Sequence, residues 1–377
     1  MKAFIQQNIR KTFFMLLAAT ALTGCSKNEG IEPIPDETEP TPEETSCTII
    51  KVSGKIDKPT VWQAGFVYVI EDRDLRIESI LTINPGVIVK VKNAGISVFQ
   101  NGKILAEGSA EKRIVFTSLA DDRYCGDTNA DVMASKPEKG DWVSLDLSGT
   151  IGSVFKYVDI FYAGQNSGGT NRAVSIGWSQ SASFTFDHCR IAHTLDGTRS
   201  DSQAFYGSSA MADASISKFT NNALYDNGKP IYFNAFYTLD PSNVFHNPAD
   251  PTIKNKHNGI YLYGTVLDKT VNWHIKEVPY VVNQYYQVYN SATINIGPDV
   301  IVKFMSTSAG LHRNSPQNIN LHSTAILTSY KDDTRGGDTN ADGNSTKPVK
   351  GDWTGFRNAF SGNPSWQQGA NILYSEH

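Results

Sequence analysis

The apolar positions of this chain fall in short runs that either alternate with polar residues or stay apolar throughout. Examples are Leu81-Thr-Ile-Asn-Pro-Gly-Val-Ile-Val-Lys90, Gly102-Lys-Ile-Leu-Ala-Glu-Gly108 and Ile114-Val-Phe-Thr-Ser118. Val, Ile, Phe, Tyr and Thr fill the runs, and Gly, Asn and Asp break them, which is the pattern of strands separated by turns. Beyond the first two dozen residues no amphipathic helical pattern of useful length occurs. The expectation is an all-β protein whose strands are too short to bury their apolar sides singly.

The chain also repeats itself. Asp121-Asp122-Arg123-Tyr124-Cys125-Gly126-Asp127-Thr128-Asn129-Ala130-Asp131 recurs 211 residues later as Asp332-Asp333-Thr334-Arg335-Gly336-Gly337-Asp338-Thr339-Asn340-Ala341-Asp342. The match runs on to Gly140-Asp141-Trp142 and Gly351-Asp352-Trp353. Upstream, the same shift relates Trp62 to Trp273 and Thr82-Ile83-Asn84 to Thr293-Ile294-Asn295; two residues inserted near Pro298 then bring Val87-Ile88-Val89-Lys90 onto Val300-Ile301-Val302-Lys303. The duplicated block spans about 50–161 and 261–374. Between the copies a shorter period appears, with Phe155-x4-Ile160, Phe186-x4-Ile191 and Phe219-x4-Leu224 about thirty residues apart. One turn of a coil is the natural unit, and coils stacked in register share one interior. Two sandwiches would leave this ladder as an improbably long linker, and a propeller would need more like blades than two.

These strand and turn pieces resemble bacterial (Bacteroidetes-type) surface lipoproteins with right-handed parallel β-helix repeats. The resemblance covers nearly everything from Cys47 to His377 and implies a single elongated solenoid of about a dozen coils at roughly 25 to 30 residues each. The N-terminus supports the same family. A cationic stretch with Lys2, Arg10 and Lys11 leads into the apolar run Thr12–Ala21, too short for a membrane span. Leu22-Thr23-Gly24-Cys25 then resembles a lipobox, which implies a signal peptide over 1–24 and lipidation of Cys25. Residues 25–46 interleave Pro33, Pro35, Pro40 and Pro42 with seven acidic residues. Such a segment stays extended and serves as a tether, and Ser26 after Cys25 resembles lipoproteins sent to an outer membrane, facing the periplasm or the cell surface.

Composition narrows the function. The formal charge is −4, and loss of Lys2, Arg10 and Lys11 leaves 31 basic residues against 38 acidic, with no Lys/Arg-rich run. Nucleic-acid partners are therefore not expected. With Cys25 assigned to the anchor, Cys47, Cys125 and Cys189 allow one disulfide at most, and the pair is left open. Cys189 reads as a buried free thiol.

The acidic loops carry the sharpest chemistry. Asp338, Asn340 and Asp342 sit at alternate positions before Gly343, the spacing with which a tight loop wraps calcium. The first copy has Asp127, Asn129 and Asp131, but Val132 replaces the glycine. Neither loop completes an EF-hand, and Asp121, Asp122, Asp332 and Asp333 could add oxygens. The expectation is a structural calcium ion. Trp142 and Trp353 could stack on sugar rings, although a tryptophan returning from a loop more commonly closes a core. Catalytic signatures of β-helix polygalacturonases and pectate lyases are absent: no Asn-Thr-Asp, Gly-His-Gly or Arg-x-Lys companions occur, and Asp187-His188 lacks the arginine element. The sequence thus favours a lipid-anchored, non-catalytic surface protein that binds polysaccharide or host and matrix partners. A polysaccharide lyase or glycoside hydrolase working in a groove of the helix is the alternative.

Overall fold

The computed structural model describes residues 47–377, apart from 100, 149, 166–170, 178–182, 197–201, 208–215, 236, 265, 268, 289–290 and 361–363, with backbone alone at 266–267. The targeting segment, Cys25 and the tether lie outside the described residues. The fold is a parallel β-helix. Successive strands go to three sheets in turn, so that Thr48–Lys51, Phe66–Glu71 and Ile88–Lys92 start the first sheet, Gly54–Ile56 and Leu75–Ile77 the second, and Thr60–Trp62 and Ile80–Ile83 the third. The second sheet carries 11 strands, one per coil and close to the dozen coils expected. Among the described residues the sole helical element is a 3-10 turn at Pro316–Asn318, and no helix is long and apolar enough to cross a membrane.

Parallel register places like residue over like, because each coil repeats the path of the one below at the strand spacing of about 4.8 Å. Phe155, Phe186 and Phe219 pair in one sheet, and Ile160, Ile191 and Leu224 in another. The rings of Phe155 and Phe186 stack at 4.6 Å. The thirty-residue period of the sequence is thus one coil. Turns bury their polar groups by the same repetition: Asn222 Nδ2 donates to the Phe186 carbonyl and to Asn243 Oδ1, and Asn227 Nδ2 donates to the Ile191 carbonyl and to Asn255 Oδ1.

Two details of the repeat differ from the sequence alignment. Asn84 N–H donates to the Trp62 carbonyl, and the equivalent bond to Trp273 comes from Gly297, not Asn295. Leu81 and Ile83 therefore correspond to Ile294 and Ile296, which share their inward burial, and the inserted residues lie upstream of Pro298, in the turns after Trp273 and Tyr280. The copies are also turned relative to each other. The first sheet ends at Ala223–Tyr225, whereas the opening strand of the second copy, Ile260–Tyr263, pairs with Lys229–Asn234 of the second sheet. Strands that build the first sheet in copy one therefore build the second sheet in copy two.

Candidate acidic loop sites

Each acidic loop begins where an outward lysine needs cover. In Ile88–Lys92, Val89 and Val91 enter the core and Lys90 points out; in Ile301–Phe304, Val302 and Phe304 enter and Lys303 points out. Both lysines nevertheless have no solvent exposure, because the loop that follows the neighbouring strand of the same sheet, Ile114–Ser118 or Ile326–Ser329, folds back across the sheet's outer face. Lys90 Nζ donates to the Gly126 carbonyl at 2.9 Å, and Lys303 Nζ to the Gly337 carbonyl at 2.6 Å and Thr339 Oγ1 at 2.9 Å. Burial pushes both ammonium groups down to about 8, partly opposed by the aspartates around them.

The inner aspartates tie each loop to its strand. Thr117 and Thr328 hydroxyls donate to Asp121 and Asp332 at 2.5 and 2.7 Å, and Ser118 and Ser329 hydroxyls donate to Asp141 and Asp352 at 2.5 and 2.7 Å. The loop tips are also superimposable in their bonding. Asp127 accepts the amides of Asp131 and Val132, as Asp338 accepts those of Asp342 and Gly343. Asp131 accepts the amides of Ala134 and Ser135, as Asp342 accepts those of Ser345 and Thr346. Val132 keeps the left-handed backbone of Gly343, φ 60° against 63°, a conformation that is costly for a β-branched residue. The first loop thus holds the same path without its glycine.

Each tip leaves matching oxygens unsatisfied. Asn129 and Asn340 each donate Nδ2 to Asp131 or Asp342, at 2.9 and 2.8 Å, which turns Oδ1 the other way. Both Oδ1 atoms are buried and without a partner, as are Asp122 Oδ1 and both carboxylate oxygens of Asp333. Carboxylate oxygens of Asp333, Asp338 and Asp342 converge within 4.8 Å of one another. Burial first, and then the neighbouring aspartates, hold the carboxyls of Asp122 and Asp333 above the ordinary carboxylate range. A buried polar atom without a partner costs about 1–3 kcal/mol, and here the deficit falls on matching residues in both copies. All the orphaned atoms at these positions are oxygens. A hard divalent cation such as calcium is the chemistry this donor set suits, with Asp333, Asp338, Asn340 and Asp342 in the second copy; in the first, Asp122, Asp127, Asn129 and Asp131 are the matching residues, but their carboxylates do not gather as closely.

Other candidates are placed differently. Trp142 and Trp353, read as possible sugar-stacking platforms, are both fully buried. Their indole N–H groups donate to the carbonyls of Phe161 and Leu373 at 2.7 Å, and the Trp353 ring lies on Phe304 at 4.0 Å. Neither offers a face to a ligand, because each closes the core where the chain returns from the loop. Cys47 and Cys125 form a disulfide, and Cys189 is buried and free, its thiol pushed up to about 12 by burial. Asp187 accepts bonds from Thr220 and Asn221 and lies beside His188.

Sequence reasoning missed Lys90 and Lys303; their matched position after three apolar residues was the available signal. It also missed a polar hollow of about 900 Å³ between the first loop and the first sheet, bordered by Lys51, Glu71, Lys92, Lys136 and Glu138. Nearby, His193 Nδ1 lies 2.7 Å from Asp226, which also pairs with Lys139, while Arg123 donates to the Tyr162 hydroxyl. Comparison with family models, with curated proteins and with solved structures finds no match to this chain.

Proposed function

We propose that the protein is a lipid-anchored, non-catalytic surface scaffold: a parallel β-helix, tethered through Cys25 to an outer membrane, whose two acidic loops each hold a structural calcium ion. The observation that carries the calcium reading is the matched set of buried, unpartnered oxygens at Asp122 and Asn129 and at Asp333 and Asn340. The loop carboxylates support a structural role, since Asp127, Asp131, Asp338 and Asp342 are committed to their own backbone amides. The solenoid presents a long face to polysaccharide or to a host or matrix protein, and we assign a polar, hydroxyl-rich ligand to the mixed-charge hollow beside the first loop.

The second reading is a polysaccharide lyase or hydrolase. It is favoured by the His193–Asp226 pair beside Arg123 and Tyr162, which unites a base, its carboxylate and a cation on one edge. Calorimetric titration with calcium, with melting followed with and without chelator, tests the ion: absence of heat and of any melting shift removes it. Incubation with acidic and neutral polysaccharides, reading both binding and new reducing or unsaturated ends, tests the rest. Binding without turnover supports the scaffold, and product formation lost in His193→Ala replaces it with the enzyme.

A further inference from the structure

The two loops share a tip but not an anchor. In the second copy Tyr330 starts the loop, its hydroxyl meets that of Tyr261 at 2.7 Å and donates to the Thr339 carbonyl at 3.0 Å, and Thr339 Oγ1 accepts from Lys303. Gly336, with φ 68°, lies so close to Pro279 that a Cβ would stand 2.5 Å from its Cγ. In the first copy Leu119 takes the place of Tyr330, and the hydroxyl of Thr128, the counterpart of Thr339, has no partner. The position of Gly336 is taken by Cys125, which holds φ 58° and is bonded to Cys47, the residue before the first strand. The tyrosine clasp of one copy is thus replaced by a disulfide in the other. Cys125 stands three residues after Asp122 and two before Asp127, and both half-cystines are partly exposed.

We infer that the Cys47–Cys125 disulfide is a redox control on the cation site of the first loop alone, an inference that rests on the calcium reading above. A dithiol reductant would act by exchange. Its thiolate attacks one sulfur, the protein S–S bond breaks as a mixed disulfide forms, and the second reductant thiol closes a ring and releases the other cysteine. Two electrons and two protons pass to the protein, and the reductant leaves as its cyclic disulfide. Once released, Cys125 is no longer held in a left-handed backbone that only glycine adopts freely. The stretch between Asp122 and Asp127 then loses its fixed geometry, and the ligands must be ordered by the cation itself. The second loop has no cysteine and keeps its clasp.

The test uses the full chain and calcium chloride. Asp342→Asn silences the second loop and Asp131→Asn the first, and each variant is titrated calorimetrically in oxidised form, after dithiol reduction, and with Cys47→Ser and Cys125→Ser together. With only the first loop active, reduction or the serine pair should weaken calcium binding roughly tenfold or more; with only the second active, affinity should not move. Retained second-loop affinity also shows that the coil remains folded. First-loop binding that ignores reduction, or an equal loss in both loops, overturns the redox control while leaving calcium binding standing. No heat from either oxidised variant overturns the calcium reading and this inference with it.

Discussion

Replacing Lys303 with Met removes a buried ammonium and leaves its strand otherwise intact. Burial lowers the lysine from 10.5 to about 8, so between those values the unfolded chain binds more protons than the folded one. Stability then rises with pH, and the burial penalty is fully present below about pH 8. Integrating the linkage relation with those two values, the wild type should gain about 1.3 kcal/mol from this residue between pH 7 and pH 9. Lys303→Met gains none of it. At pH 7 the variant is relieved of at most about 3 kcal/mol of burial penalty, and it loses bonds to the Gly337 carbonyl and Thr339 Oγ1 worth about 1–3 kcal/mol. Whatever the balance at pH 7, the variant should lose about 1.3 kcal/mol relative to the wild type between pH 7 and pH 9. Urea denaturation in chelator at both pH values, followed by tryptophan fluorescence, measures the difference; Trp353 on Phe304 reports the same coil. Comparing variant with wild type cancels the other titrating groups, Lys90 among them, which burial also lowers to about 8. Parallel pH profiles for the two proteins would refute the claim that the loop buries a charged lysine.

Three further outcomes are expected. Trp353→Ala should lose about 3–5 kcal/mol and Trp353→Phe much less, while polysaccharide binding by the folded Phe variant stays unchanged; a binding loss without a stability loss would restore the stacking role. The carboxyls of Asp122 and Asp333 are raised, so the folded state holds their protons more tightly, and stability in chelator should fall as pH climbs from the ordinary carboxylate range through the raised one. Asp122→Asn with Asp333→Asn should remove that fall and calcium should suppress it, both visible in melting curves from pH 4 to 7. Gly336→Ala meets both Pro279 and an unfavourable φ of 68°, and should cost about 1–3 kcal/mol, read as faster proteolysis of the second loop with the first unaffected.

Much of the architecture was legible because a parallel solenoid stacks each coil on its own pattern. Phe155, Phe186 and Phe219 recur at a regular spacing along the chain because the fold stacks them in register. The Asp-x-Asn-x-Asp tips were equally visible, because a tight loop sets its oxygens by local spacing. The inward aim of Asp122 and Asp333 was not, since it depends on a loop folding back across a sheet face 31 residues upstream in the chain, as measured from Lys90 to Asp121. Trp142 and Trp353 show the same limit: a tryptophan beside a polar loop reads as exposed or buried equally well until the returning chain is placed.

Local physics therefore determined this protein's strands, its coil length, its duplicated block and the donor chemistry of its loops, all of which need only neighbours along the chain. The tertiary structure alone decided that copy two begins one sheet round from copy one, that Cys47 pairs with Cys125, and that two lysines in strands become the buried floor of two acidic loops. Each of these is a contact between segments far apart in sequence. Its energy depends on which surfaces the stacked coils bring within bonding distance, and no local pattern encodes that distance.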